Sequence, residues 1–207
     1  MPEKFNPTRT VRSRRTEFST RAMEEGGPPK IAGYFVVFNE PYYIWDDMEE
    51  VIMPGAFDNA DTSDVRALTD HLTHLVLGRS NDKTQTLTWS IDDIGLWAEV
   101  EINEADTDAV NLHARVQRGD VDQASFGFDE SLDKGAVKLV DLPDGRVRRE
   151  IHGIAKLWEI SVCTFPAYEQ TSVCARSRLS DELTAHRAQA AAARKARVKS
   201  KFRHKEV

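Results

Sequence analysis

The stretch TLTWSIDDIGLWAEVEI, residues 86–102, carries the clearest secondary-structure signal in the chain. Its second half alternates apolar and polar residues with a period of two, as in a strand that has one buried and one wet face. The apolar positions of this half are Leu96, Ala98, Val100 and Ile102. The residues Asp92, Asp93, Ile94 and Gly95 supply a turn. The stretch therefore predicts a β-hairpin, which indicates an antiparallel sheet.

Further strand patterns and one helix pattern surround this hairpin. Apolar or alternating runs predict strands over 34–38, 121–128, 137–140, 147–151 and 156–165. Between them, Asp106 or Thr107 can cap a helix that Gly119 ends. These patterns predict an α+β domain, mainly antiparallel β with one or two helices.

Charge divides the chain into three regions. Residues 1–30 contain seven Lys/Arg and four Asp/Glu, and residues 176–207 contain ten and three. The stretch between them contains 11 basic and 27 acidic residues, although the whole chain has a net charge of only −6. We therefore expect a basic N-terminal segment over 1–30, a globular domain over 31–175 and a basic helical C-terminal tail over 176–207.

Composition also limits the compartment and the chemistry. No apolar run approaches the roughly 20 residues that cross a bilayer, and the basic N-terminus precedes no apolar stretch, so we expect a cytoplasmic protein without a secretory signal. The two cysteines, Cys163 and Cys174, form no CxxC pair that would indicate structural zinc. Cys163 lies in a strand-like run and is expected to be a small core residue.

Five segments in a fixed order are informative as a set, although each is weak alone. They are IAGYFVVF (31–38), EVIMPGAF (50–57), DHLTHLVLGR (70–79), RGDVDQASFGF (118–128) and EISVCTFPAY (159–168). Over residues 31–173 the combination resembles the prohead maturation serine proteases of tailed bacteriophages, whose fold is similar to that of herpesvirus capsid-maturation proteases. The resemblance implies a closed or partly closed β-barrel with flanking helices, plus the basic C-terminal helix.

The resemblance also implies a catalytic triad. The family's histidine falls on His71, its nucleophile on Ser125 and its acidic partner on Glu159. The chain departs from the family pattern at Leu72, where an acidic residue commonly follows the histidine, and His74 is a second candidate for the histidine role.

The residue types suit this chemistry. A serine hydroxyl becomes a good nucleophile when an imidazole takes its proton, and a carboxylate that accepts from the other ring nitrogen fixes the tautomer. Glu159 lies on the strand face opposite Trp158, Ile160 and Val162, from which it can point into a cleft. Two structural alternatives stay open: Ser125 as a serine paired within a sheet, with Gly127 marking a bulge, and Glu159 as a surface residue of an edge strand.

A metal site is the alternative for the histidines. His71 and His74 are three residues apart and Asp70 precedes them. A hydrolytic metal site needs at least three protein ligands, however, and no HExxH or similar spacing supplies them. We therefore predict neither a metal nor another cofactor.

The function implied by the resemblance is that of a serine endopeptidase. It would cleave the scaffold segment of the major capsid protein, and itself, while self-associating inside the assembling prohead in the bacterial host. One alternative is an inactive capsid scaffold component, which would not need His71, Ser125 and Glu159 together. Another is a nucleic-acid-binding protein that acts through the basic tail, which the acidic body opposes. We expect the tail to dock on an acidic partner, and we expect no membrane partner.

Overall fold

The predicted hairpin is present and begins a four-stranded sheet. In the computed structural model, β8 (Leu87–Ile91) pairs with β9 (Gly95–Glu101), and the Asp92 carboxylate accepts hydrogen bonds from the amides of Ile94 and Gly95. A Cβ atom at Gly95 would lie 2.0 Å from the carbonyl oxygen of Val36, so only glycine fits there. The sheet continues through β3 (Lys30–Val37) to β2 (Ser19–Arg21), with all pairs antiparallel.

The structure describes residues 10–16, 18–21, 27–165 and 173–203. These described residues divide into two compact units, one within residues 10–165 and the other over residues 173–203. Strands β1 (Thr10–Arg15) and β2 belong to the first unit, although they lie in the predicted N-terminal segment. The expected domain boundaries after residues 30 and 175 stay predictions.

The second sheet has five strands and carries the residues of interest. Its order is β1, β10 (Gln123–Glu130), β13 (Ile154–Cys163), β6 (Val65–Thr69) and β7 (Val76–Ser80). The pairs are antiparallel except for β13 with β6, which are parallel. As a result, residues near 125, 160 and 70 are neighbours in one sheet although they are far apart in the chain.

The third sheet has four strands in the order β11 (Val137–Asp141), β12 (Val147–Ile151), β5 (Met48–Ile52) and β4 (Pro41–Trp45). The turn between β11 and β12 contains Gly145, whose φ is +88°. The β12–β5 pair is parallel and the other two pairs are antiparallel.

The predicted helix is confirmed with its caps. It is α1, Thr107–Arg118, and the Asp106 side chain accepts from the amides of Asp108 and Ala109. Gly119 adopts a left-handed φ of +83° and its amide donates back to the last turn. The buried face of α1 consists of Ala109, Leu112 and Val116.

One hydrophobic core unites these elements. Buried side chains from all three sheets and from α1 form a single cluster, in which Phe126 and Phe128 stack at 5.0 Å between ring centroids. Phe57 of the Pro-Gly-Ala-Phe segment is also buried in it. Both phenylalanines of β10 are therefore core residues.

The α+β, mainly antiparallel class is confirmed, but no closed barrel is found among the described residues. Among the described residues, the strands form three separate sheets, and six strands have a neighbour on one side only. A barrel needs every strand paired on both sides. Each sheet here ends in open edges, and the expectation of closure was wrong for this reason.

Four charged side chains are buried where β1 meets the third sheet. Glu50, fully buried on β5, accepts two hydrogen bonds from Arg12 of β1, at 2.6 and 2.9 Å, and one from Arg149 of β12 at 2.7 Å. Arg149 also contacts Glu130 of β10, at 2.7 and 3.0 Å. This group, which we call the buried ion cluster, links strands of two sheets.

The second unit contains the expected C-terminal helix. It is α2, Val173–Arg203, a helix of 31 residues with no acidic residue in its first turn. In the described part of the chain, neither helix is long and apolar enough to span a membrane.

Candidate active site

His71 and Glu159, two of the three predicted site residues, are in direct contact. The Nδ1 atom of His71 lies 2.8 Å from Oε1 of Glu159. The carboxylate accepts, so Nδ1 carries the proton and Nε2 is left as the acceptor nitrogen. The parallel β6–β13 pair produces this contact, because it places Thr69 beside Val162 and so brings the loop after β6 to the face of β13.

The loop that holds His71 is conformationally unusual. Asp70 and His71 have φ values of +48° and +60°, in the left-handed region that non-glycine residues seldom adopt. Asp70 is held at both ends: its amide donates to the Val162 carbonyl, and its carboxylate accepts from the Thr164 amide at 2.8 Å. This anchoring to the end of β13 fixes the loop that presents the imidazole.

Glu159 is held from its other side as well. Oε2 accepts a hydrogen bond of 2.5 Å from Oγ of Ser161, which projects from the same face of β13 two residues later. Glu159 is 2% exposed and β13 has neighbours on both sides, so the surface edge-strand alternative is wrong. One carboxylate thus orients the imidazole and is itself oriented by a buried hydroxyl.

Ser125 lies on β10 directly opposite Ser161 and is fully buried. Its hydroxyl donates to the carbonyl oxygen of Arg12, on β1, at 2.7 Å. The β10–β13 register shifts after Gly127, which is the bulge considered in the structural alternative. Ser125 is therefore near the other two residues, but its hydroxyl donates to β1 and not to His71.

Cys163 lies beside the imidazole of His71. Its Sγ atom is 3.7 Å from Nε2 of His71. Burial, together with the charges of Asp70 and Glu159, raises the pKa of the Cys163 thiol well above its ordinary value. The group is therefore a neutral thiol at physiological pH, which makes it a poor nucleophile.

The remaining histidine candidate lies outside this arrangement. His74 is exposed in the loop before β7. Over the described ranges, no three His, Cys, Asp or Glu side chains are grouped so that they could hold a metal ion.

Comparison with known proteins identifies the family. The sequence profile of the caudovirus prohead serine protease family matches residues 16–186, which is more than half of the chain. The chain belongs to this family. The resemblance inferred from the five segments is confirmed.

Two known proteins are similar to this chain. The prohead protease of Enterobacteria phage HK97 is 32% identical over 143 residues, which cover 69% of this chain and 58% of that protein. The chain thus spans less than two thirds of the length of this relative. A solved structure, that of the bacteriophage T4 capsid assembly protease, aligns with a TM-score of 0.47 and 12% identity, covering 77% of this chain and 98% of that one.

Three residues of this arrangement were not predicted from sequence. Ser161 carries a signal, because it lies two residues from Glu159 in the Glu-x-Ser-Val motif and therefore shares its strand face. Cys163 lies in a strand-like apolar run, which predicts a core residue but not the contact with His71. Arg12 carries no local signal, because its contact with Ser125 arises from pairing over 113 positions of sequence.

Proposed function

We propose that this prohead protease family member is a serine endopeptidase in which Ser125 is the nucleophile, His71 the general base and Glu159 the group that orients it. The observation that carries the proposal is the 2.8 Å contact between His71 Nδ1 and Glu159 Oε1, with Ser125 on the adjoining strand. A base oriented by a carboxylate beside a serine is the constellation that serine peptidases use to hydrolyse peptide bonds.

The reaction proceeds in two halves. Ser125 Oγ attacks the carbonyl carbon of the scissile bond while Nε2 of His71 takes the hydroxyl proton. When the C–N bond breaks, the same nitrogen returns the proton to the leaving amine, and water then hydrolyses the ester with His71 again as base. Glu159 keeps Nδ1 protonated throughout and stabilises the imidazolium.

The proposed substrate is the scaffold segment of the major capsid protein, with the protease itself as a second substrate. Membership of the prohead protease family supports this assignment. The place of action would be the interior of the assembling prohead in the host cytoplasm, where copies of the enzyme are close to the scaffold and to one another.

Co-expression with the cognate capsid protein tests the proposal. We expect Ser125→Ala and His71→Ala to abolish processing, as read by intact mass, and the double variant to be no worse, because such residues act as a unit. His74→Ala, in the same loop, is the matched control and should process normally. Parental processing by Ser125→Ala would instead favour another nucleophile or an inactive scaffold role.

A further inference from the structure

Strand β1 covers the proposed nucleophile. Ser13 is the register partner of Ser125, and the Ser125 hydroxyl donates to the carbonyl oxygen of the preceding residue, Arg12. Ser125 has no exposed surface in this state. A protein substrate cannot reach the hydroxyl while β1 is paired with β10.

The covering strand itself has the geometry of a bound peptide. β1 is extended, lies antiparallel to β10 and forms the end of its sheet. Without β1, the N–H and C=O groups along one side of β10 would be unpaired, and such an edge binds extended peptides by strand addition. Because the Ser125 hydroxyl donates its proton to the Arg12 carbonyl oxygen and not to His71, β1 occupies the position without reacting.

A specific side-chain site accompanies this edge. Arg12 places its guanidinium on the buried Glu50 carboxylate through two hydrogen bonds, a bidentate geometry that favours Arg over other side chains. The carbonyl of Arg12 lies beside Ser125. The Glu50 carboxylate therefore selects the side chain of the residue next to the proposed nucleophile. The family match begins at residue 16, after β1, so the covering strand lies outside the part of the chain that matches the family.

We propose that β1 occupies the substrate position of this enzyme, and that the substrate is an extended segment that pairs antiparallel with β10 and places Arg or Lys on Glu50. The inference rests on the proposed function, because it gives the substrate class and the regulation of the same site. The resting enzyme is inhibited by its own strand. A scaffold segment at the high local concentration of a closed shell displaces it.

Peptide binding to the full chain tests this directly. We use Ser125→Ala to prevent cleavage and add Arg12→Ala to weaken β1, while Glu50 keeps its bond to Arg149. The probes are synthetic peptides of residues 8–16 with Arg, Lys, Leu or Glu at the Arg12 position. Fluorescence anisotropy measures affinity, and amide hydrogen exchange of residues 123–130 shows whether the peptide lies on β10.

We expect the Arg peptide to bind the double variant at least about tenfold more tightly than the Glu peptide, with Lys nearer to Arg. Binding should protect 123–130 from exchange, and Ser125→Ala alone should bind more weakly because β1 competes. If Arg12→Ala proves unfolded by circular dichroism, Arg12→Lys replaces it, with an intermediate effect. Equal affinity for Arg and Glu peptides, or binding without protection of 123–130, would overturn the inference.

Arg148→Ala is the matched control. It removes an arginine from Glu49, a buried carboxylate on the same strand as Glu50, without touching β1, and should bind peptide no better than its parent. Because binding is measured without the Ser125 hydroxyl, an error in the nucleophile assignment would not change it. That error would appear as equal cleavage by the parent and Ser125→Ala.

Discussion

At the scale of single residues, the proposed mechanism gives the Glu159 carboxylate control over the orientation and charge of His71. Replacing it by an amide, Glu159→Gln, keeps the shape but removes the charge that stabilises the imidazolium. We expect cleavage to slow by ~10²–10⁴-fold without being abolished, in line with altered acids of other triads. Single-turnover cleavage of a peptide substrate measures this, and an unchanged rate would show that Glu159 has no part in the reaction.

Ser161 is a positioning residue in the same arrangement. Its hydroxyl donates to Glu159 Oε2, so Ser161→Ala removes one of the contacts that hold the carboxylate toward His71. Because a hydrogen bond to a charged group is lost, we expect kcat to fall by about tenfold with KM unchanged. Ser90→Ala, an exposed serine on β8, is the control. A rise in KM alone would indicate distortion of the substrate edge instead.

Sequence reasoning at this scale found residue types but not contacts. His71, Ser125 and Glu159 were selected by motif, and their motifs contain no information on which atom the Ser125 hydroxyl faces. That depends on Arg12, which approaches through β1. The contact of Ser161 with Glu159 could have been predicted, because strand alternation alone places the two side chains on the same face.

At the scale of elements, α1 and the β8–β9 hairpin were predictable because local rules produce them. α1 has its cap residue, its apolar face and its terminal glycine within fourteen positions, Asp106–Gly119. β1 was missed since its buried residues are Thr10 and Arg12, which give no apolar alternation. β5 was missed for a related reason: Glu49 and Glu50 are buried there by ion pairing with arginines of β1 and β12.

The C-terminal cap of α1 offers a test of local stability. Gly119 has a φ of +83° and open space around it, so Gly119→Ala adds conformational strain without a clash. We expect a loss of about 1 kcal/mol and a fall in Tm of several degrees. Gln117→Ala, exposed in the last turn of the same helix, should leave the Tm unchanged or slightly raised. A Tm unaffected by Gly119→Ala would contradict the strained cap.

At the scale of the whole molecule, the buried ion cluster makes stability depend on pH. Burial raises the pKa of Glu50, but Arg12 and Arg149 lower it by more, so that its pKa lies below the ordinary 4.5. The stabilisation is therefore complete above pH 4.5 and lost as the pH falls through the lower folded value. We expect Glu50→Gln to be less stable at pH 7 and to lose less stability on acidification, as measured by urea unfolding.

Glu104→Gln, which changes an exposed carboxylate, is the control for that experiment and should keep the parental dependence on pH. If Glu50→Gln lost stability on acidification as steeply as the parent does, other carboxylates would have to explain the acid sensitivity.

We propose that the C-terminal helix delivers the enzyme to its partner and takes no part in the chemistry. Its sequence combines an alanine-rich centre with a basic end, which suits an acidic scaffold surface and a salt-sensitive contact. We expect a chain truncated after Ala175 to cleave a peptide substrate at the parental rate but to be incorporated poorly into assembling particles. Normal incorporation would exclude docking through the tail, and lost peptide activity would mean that residues 176–207 help to form the fold.

The parallel pairing of β6 with β13 has a further consequence, for the time at which activity arises. The His71–Glu159 contact closes a loop of 88 residues, and β13 follows every other described strand along the chain. Contacts of such long range form late in folding, because chain entropy opposes them until the intervening segments are ordered. A chain in which β13 has not yet paired with β6 contains His71 and Ser125 but lacks the Glu159 carboxylate beside the imidazole. Under the proposed mechanism such a chain has no oriented base, so activity would arise only after β13 has paired with β6.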